Sequence, residues 1–345
     1  MTINRILIIG LGSIGKRHLR LARQLLPDSD IRVLRHQECV SVPEYADGCF
    51  SSLELAIAFG PQLAVIANPA TCHMQVALPL VRAGVHLMIE KPLSASLDDL
   101  PQLLEIARSQ SAVLATGYNL RFLPSMQHFR ERLHEGLIGR VLSVRCEIGQ
   151  YLPSWRPDAD YRQGVSAQRE LGGGALLELS HEIDYVRWIF GEIDWVTATL
   201  SRQSDLDIDV EDTAHLLFGF APTAPNPGLI ASVNLDFIRH DTTRLCTAIG
   251  ENGSLRWNGL SGDVEYHEPG AKTWQVIFSY PHQRDDSYLA EWRHVLSCLN
   301  DGTAPLVSGE DGLSVMQVIM AARLASDKCC KVRMTEVSNP KKESA

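Results

Sequence analysis

Up to Phe122 the apolar positions fall in short blocks separated by helically spaced stretches. Arg5-Ile6-Leu7-Ile8-Ile9 is an apolar run ending at Gly10, short enough for a buried strand. From Lys16 to Leu26 the apolar residues Leu19, Ala22 and Leu26 recur at helical spacing until Pro27 stops the pattern. The runs 31–34, 63–67, 86–90 and 113–116 predict four more strands. A helix over 73–83 is closed by Gly84, and Ser96 with Asp99 reads as a capping box opening a helix to Arg108. Strands separated by single helices predict a parallel sheet with helices on both faces.

Beyond Phe122 the pattern changes. A helix around Met126, Phe129 and Leu133 precedes period-2 segments. Leu142, Val144, Cys146 and Ile148 alternate with polar residues, as do Ala214–Phe220, Leu229–Phe237 and Trp274–Phe278. Asn258-Gly259 marks a hairpin, and helices over 287–299 and 310–326 close the pattern. One apolar face per strand predicts a mainly antiparallel sheet. The domains expected are therefore 1–122, 123–337 and a polar tail, 338–345.

Composition narrows the reading. The 345 residues are 45% hydrophobic and 21% charged, in the range of soluble globular chains, with a formal net charge of −9. The acidic balance argues against nucleic acid or an anionic membrane as main partner, because both need clustered basic charge. No apolar run reaches the ~20 residues that span a bilayer, and no signal peptide is visible, which points to the cytoplasm. The eight cysteines form no C-x-x-C pair and no metal-like spacing; they read as reduced, and no metal is expected.

The candidate chemistry starts at Gly10-Leu11-Gly12-Ser13-Ile14-Gly15, a G-x-G-x-x-G loop placed between a strand and a helix. Gly10 permits the tight turn, Gly12 lets backbone approach a pyrophosphate, and Gly15 lets helix approach strand. The helix N-terminus then offers free N–H groups to the phosphates. Where NAD-selective sites usually carry a carboxylate, this chain has Arg35 followed by His36. Arg35 suits a 2′-phosphate, so NADP(H) is favoured over NAD(H). A second candidate is Lys91, within Glu90-Lys91-Pro92. It ends a strand of the parallel sheet, where ligands of such sheets bind. A lysine there can bond a substrate hydroxyl and share its proton as hydride leaves the carbon.

These motifs resemble the Gfo/Idh/MocA family of NAD(P)-dependent oxidoreductases. The resemblance spans about residues 4–335. It rests on the glycine loop, Asn68-Pro69 with His73, Ala83–His86 leading to Glu90-Lys91-Pro92, Gly117–Phe122, and Gly172-Gly173-Gly174 leading to His181-Glu182-Ile183-Asp184. It implies an N-terminal Rossmann domain and a C-terminal α+β domain whose open, mainly antiparallel sheet joins a homo-oligomer, a dimer or tetramer. It also implies cofactor contacts from Asn68, Pro69, His73, Glu90, Lys91 and Asn119, and makes Lys91 the active-site lysine. Glu178, His181 and Asp184 step by three, which on one helix shares a face. His181 and Asp184 are read as catalytic, with His181 taking the substrate proton. The family usually carries an acid four residues before this histidine. Here Leu177 stands there, so either a residue is missing or Glu178 substitutes from a shifted angle.

Substrate contacts are expected from Arg121, Trp155, Arg156, Glu178 and His181. The string around Trp155, Tyr161 and Leu176–Tyr185 resembles a subgroup of bacterial surface-sugar pathways. Aromatic faces suit sugar rings and arginines suit carboxylate or phosphate. The expected reaction is hydride transfer between a nicotinamide and a secondary hydroxyl or keto group of a sugar, nucleotide-sugar or cyclitol. Redox-assisted glycoside cleavage and a non-catalytic dinucleotide sensor are the alternatives.

Overall fold

The computed structural model describes residues 3–35, 41–221 and 228–338. The chain divides into two units, Met1–Tyr118 with Tyr288–Met316, and Asn119–Ser287 with Gln317–Ala345. The first break thus falls at Tyr118, not Phe122, and residues 288–316 return to the first unit. Period and polarity do not report such a return.

In the first unit β1 (Arg5–Ile9), β2 (Asp30–Leu34), β3 (Gly48–Phe50), β4 (Leu63–Ile66), β5 (His86–Glu90) and β6 (Leu114–Gly117) all pair in parallel. Their order, β3-β2-β1-β4-β5-β6, is that of the doubly wound dinucleotide fold. Central strands of such a sheet are covered on both faces, and every residue of β4 is buried. The helices are α1 (Ser13–Leu25), α2 (Leu53–Ala58), α3 (His73–Arg82) and α4 (Leu100–Ser109). Helix α4 starts later than the expected capping box. Its N-cap is Asp99, whose side chain makes no capping bond, and a proline in the first turn fixes the start instead. The sequence pattern does not reveal β3, a three-residue edge strand paired only with β2.

In the second unit α5 (Pro124–His134) precedes β7 (Val141–Gly149). Next come α6 (Ala175–Glu178), α7 (His181–Phe190), β8 (Ile193–Ser201), β9 (Thr213–Phe220), β10 (Ile230–Asp236), β11 (Thr243–Gly250), β12 (Gly253–Asn258), β13 (Asp263–His267) and β14 (Gln275–Ser279). Helix α8 (Asp286–Asp301) and the start of α9 (Gly309–Lys328) lie in the stretch that returns to the first unit, and a short β15 (Val332–Arg333) follows in the second. The nine strands run β14-β13-β12-β11-β7-β10-β9-β8-β15. All pairs are antiparallel except β7 with β10. Strict alternation gives β9 and β10 one buried face, with Leu216, Phe218, Ala231 and Val233 inside. Strands β8 and β11 alternate less cleanly and were not read from sequence. The hairpin at Asn258 forms, but with residues 259–262 as its loop. Asn258 Oδ1 accepts from the N–H groups of Leu260 and Ser261, and this side-chain turn replaces the two-residue form.

Cys49 is disulfide-bonded, against the expectation that every cysteine is reduced. The other cysteines among the described residues are free. Residues 339–345 of the expected tail lie outside the described residues.

Candidate cofactor and active site

In a parallel sheet all carboxyl ends lie along one edge, so the turns after β1, β4 and β5 share that edge. The glycine loop follows β1 and opens α1, at the point where strand order reverses. Its glycines differ in what a side chain would meet. Gly10 has φ +86°, and a Cβ there would lie 2.8 Å from the Ala67 carbonyl oxygen. A Cβ on Gly15 would lie 2.1 Å from the Gly10 carbonyl oxygen, whereas one on Gly12 would meet nothing within 4 Å. Open space at Gly12, beside Ser13 and Ile14 in the first turn of α1, fits an approaching pyrophosphate. Arg35 follows β2 half-buried, its N–H donating to the Phe50 carbonyl (3.0 Å). His36 lies outside the described residues.

Asn68 and Pro69 follow β4. His73 Nε2 donates to the Asn68 carbonyl (2.9 Å), while its Nδ1 stands 3.3 Å from the Leu93 carbonyl. Burial holds this imidazole below its ordinary pKa, against the pull of the two carbonyls. His73 therefore ties the turn after β4 to the segment after Pro92. Asn68 Oδ1 is buried without a hydrogen-bond partner, which fits a donor from a ligand at the switch point.

Glu90 ends β5. One carboxylate oxygen meets His18 Nε2 at 2.7 Å and the other accepts the Lys91 backbone N–H at 3.1 Å. The Glu90 side chain, expected at the cofactor, thus bonds inside its own unit. Lys91 follows half-buried, joined to Pro92 by a cis peptide. From β1 to β5 there are two strand spacings, or ~10 Å, from the glycine loop to Lys91 along the sheet edge.

The second unit carries the remaining candidates. Asn119 Nδ2 donates to Ser287 Oγ (2.8 Å) and the residue is buried. Arg121 and Asp184, expected to contact substrate and to act in catalysis, instead close on each other. Nε meets Oδ2 at 2.9 Å and an Nη meets Oδ1 at 2.6 Å, with the residues 2% and 1% exposed. A carboxylate enclosed in this way is not offered to a substrate. The single helical face expected for Glu178, His181 and Asp184 does not form either. Glu178 is the last residue of α6, the chain breaks at Leu179-Ser180, and His181 starts α7. Glu178 instead accepts from Ser166 Oγ (2.8 Å). His181 is half-buried at the first position of α7, and its neighbours Glu182 and Ile183 are buried. Trp155 donates Nε1–H to the Gln150 carbonyl (3.0 Å) and meets Phe237 edge-on, while Arg156 is exposed.

Sequence reasoning missed His18, Trp292 and Ser166. His18 alone had a signal, since it follows Gly15 by one helical turn on the helix that the loop opens. No helix among the described residues is long and apolar enough to cross a membrane.

Residues 4–118 match an oxidoreductase family described as having an NAD-binding Rossmann fold, and residues 126–256 match the GFO/IDH/MocA C-terminal domain. An uncharacterized oxidoreductase of Synechocystis, sll0816, is 30% identical over 207 residues, which is 56% of this chain and 54% of that protein. The match thus spans about half that relative's length. The myo-inositol 2-dehydrogenase of Thermotoga maritima is 26% identical over 346 residues, covering 96% and 99% of the two chains. Among solved structures, a levoglucosan dehydrogenase in complex with NADH and L-sorbose superposes with a TM-score of 0.84 at 20% identity, covering 96% and 99%.

Proposed function

Because the chain belongs to the GFO/IDH/MocA oxidoreductase family, we propose that it transfers hydride between a nicotinamide cofactor and a secondary hydroxyl or keto group of a sugar, nucleotide-sugar or cyclitol. One observation carries this reading: Lys91 directly follows β5 on the same sheet edge as a dinucleotide-type glycine loop, in a sheet of order 3-2-1-4-5-6. The named activities of relatives such as the inositol dehydrogenase support the substrate class.

The cofactor supplies a hydride acceptor or donor when bound. The first turn of α1 and the backbone at Gly12 hold its pyrophosphate. Asn68 Oδ1, buried without a partner, would accept a hydrogen bond from it. Arg35 at the end of β2 supports a 2′-phosphate and so NADP(H), and the NAD-binding description of the family supports NAD(H); Arg35 decides our reading for NADP(H). Lys91 bonds the reacting oxygen and carries its proton. His181 is the second proton carrier, suited by an ordinary pKa near neutrality. Trp155 and Arg156 face the sugar. Arg121 and Asp184 serve as scaffold for α7. The second unit's sheet joins copies of the chain through its outward face, where Leu217 and Ile230 stand exposed beside Thr199, His215 and Asn234.

The test is Lys91→Ala, assayed with the four nicotinamide cofactors against a panel of cyclitols and sugars. Dinucleotide binding stays within about threefold of wild type, and turnover falls by ~10²–10⁴. Undiminished turnover sinks the assignment. Light scattering on Leu217→Arg reads the oligomer: an unchanged mass removes the sheet face from the interface.

A further inference from the structure

Three buried side chains of the first unit form a hydrogen-bonded chain that ends on the backbone of Lys91. Trp292 Nε1 donates to His18 Nδ1 at 2.9 Å. An indole nitrogen can only donate, so His18 Nδ1 presents its lone pair. The proton of the neutral ring then sits on Nε2, which points at Glu90 Oε1, 2.7 Å away. A second ring proton would set N–H against N–H. The geometry therefore assigns one tautomer, neutral and Nε2-protonated.

Glu90 is held on its other sides too. Its second oxygen accepts the Lys91 N–H at 3.1 Å. Glu90 pairs with Gly117 across β5 and β6, and a Cβ there would lie 3.1 Å from both the Glu90 Cα and that same oxygen. The absence of a side chain at Gly117 leaves the carboxylate its place. His18 and Trp292 are 0% exposed and Glu90 8%. Four elements, α1, β5, β6 and α8, thus converge on the peptide that precedes Lys91.

We propose that His18, oriented by Trp292, is a positioning residue for Lys91: it fixes the Glu90 carboxylate, which in turn fixes the Lys91 main chain. His18 lies one turn past Gly15 on α1, the helix whose first turn is read as the pyrophosphate site. The same helix therefore places both the cofactor's phosphates and, through Glu90, the lysine that handles the proton. A buried carboxylate that loses one of its two donors is left undersolvated and moves or takes a proton, and either change releases the Lys91 N–H. Small displacements of a catalytic group cost far more in rate than in binding.

The inference rests on the hydride-transfer reading for its kinetic arm only. The full chain is reductively methylated with ¹³C, so that each lysine gives its own signal, with Lys91→Arg assigning one of them. His18→Ala and Trp292→Phe are compared with wild type, and His18→Asn tests rescue by a shorter N–H donor. ¹⁵N-histidine spectra report the His18 tautomer. The Lys91 signal shifts in His18→Ala and Trp292→Phe while the other lysines hold, and His18→Asn returns part of the way. Wild type shows the Nε2–H tautomer, and Trp292→Phe, which keeps the packing, shows a mixture. With NADH and NADPH titrated by fluorescence, Kd stays within about twofold while kcat falls about tenfold at unchanged KM in His18→Ala. An unmoved Lys91 signal overturns the proposal, as does loss of dinucleotide binding in step with kcat. If wild type turns over none of the panel, the hydride-transfer reading fails, and the lysine and histidine signals still decide the positioning role.

Discussion

Asp184→Asn separates a scaffold carboxylate from a reactive one. Asp184 sits on α7, and its two oxygens meet Arg121 at 2.9 and 2.6 Å with the residues 1% and 2% exposed. At an effective dielectric of about 20, charges 2.6 Å apart attract by roughly 6 kcal/mol. Asparagine keeps one acceptor oxygen and loses the charge, leaving the guanidinium buried without its counter-ion. Arg121 also stands 5.6 Å from the centre of the Trp188 ring, an attraction that survives the change. Removing one partner of a buried pair costs about 3–5 kcal/mol. For a unit of this size that is a drop of roughly 6–20 °C in Tm. Urea and thermal unfolding measure it, and the control is Arg121→Met with Asp184→Leu. Replacing both charges by apolar groups is often neutral or stabilising, so the double variant is more stable than Asp184→Asn. A loss below about 1 kcal/mol in Asp184→Asn refutes the reasoning. So does abolished turnover at unchanged stability, the signature of a carboxylate acting directly on substrate.

Four further predictions rest on variants in the first unit. Gly12→Ala unfolds like wild type but weakens dinucleotide binding about tenfold or more by titration, because its Cβ enters the open space read as the pyrophosphate's. Gly15→Ala, whose Cβ would lie 2.1 Å from a carbonyl oxygen, loses several kcal/mol and is read by its Tm. Arg35→Ala weakens NADPH binding about tenfold and leaves NADH binding little changed; tighter NADH than NADPH binding by wild type overturns the Arg35 reading alone. Burial holds His73, His86, His128 and His294 below the ordinary histidine pKa. Below pH ~6.5 the unfolded chain binds protons there that the folded chain refuses, so stability falls as pH falls and levels off below the folded pKa values. His73→Gln makes that slope shallower in urea unfolding between pH 5 and 7, and an unchanged slope removes His73 from the account.

What was legible in the sequence is what local physics writes there. The run Arg5–Ile9 forms the expected strand residue for residue, and His86–Glu90 does the same, because a central parallel strand is apolar throughout and bounded by turn residues. Within the glycine loop, Gly10 and Gly15 were legible because each answers a local steric demand. The three-residue β3 was not, since an edge strand that short carries no period. The helix break at Leu179-Ser180 was missed for a related reason: a step of three fits one helical face, and nothing in residue type marks where the hydrogen-bonding register stops.

The site's supporting bonds were illegible for a deeper reason. Glu90 precedes the catalytic candidate, and proximity in sequence invited a cofactor role for it. Its contacts come from Gly117 across one strand pair and from His18 on α1, which is itself bonded by Trp292, some two hundred residues later in the chain. The same holds for Arg121 and Asp184, each read as reaching outward because each follows a recognisable motif. A motif fixes residue type and a backbone position, whereas the choice between facing a ligand and facing a buried partner depends on what other segments bring to the same place. Buried charges demand partners, and their enclosure predicts that such partners exist without saying which segment supplies them. Lys91 and His181 are half-buried beside enclosed neighbours, the difference that the turnover of their variants tests.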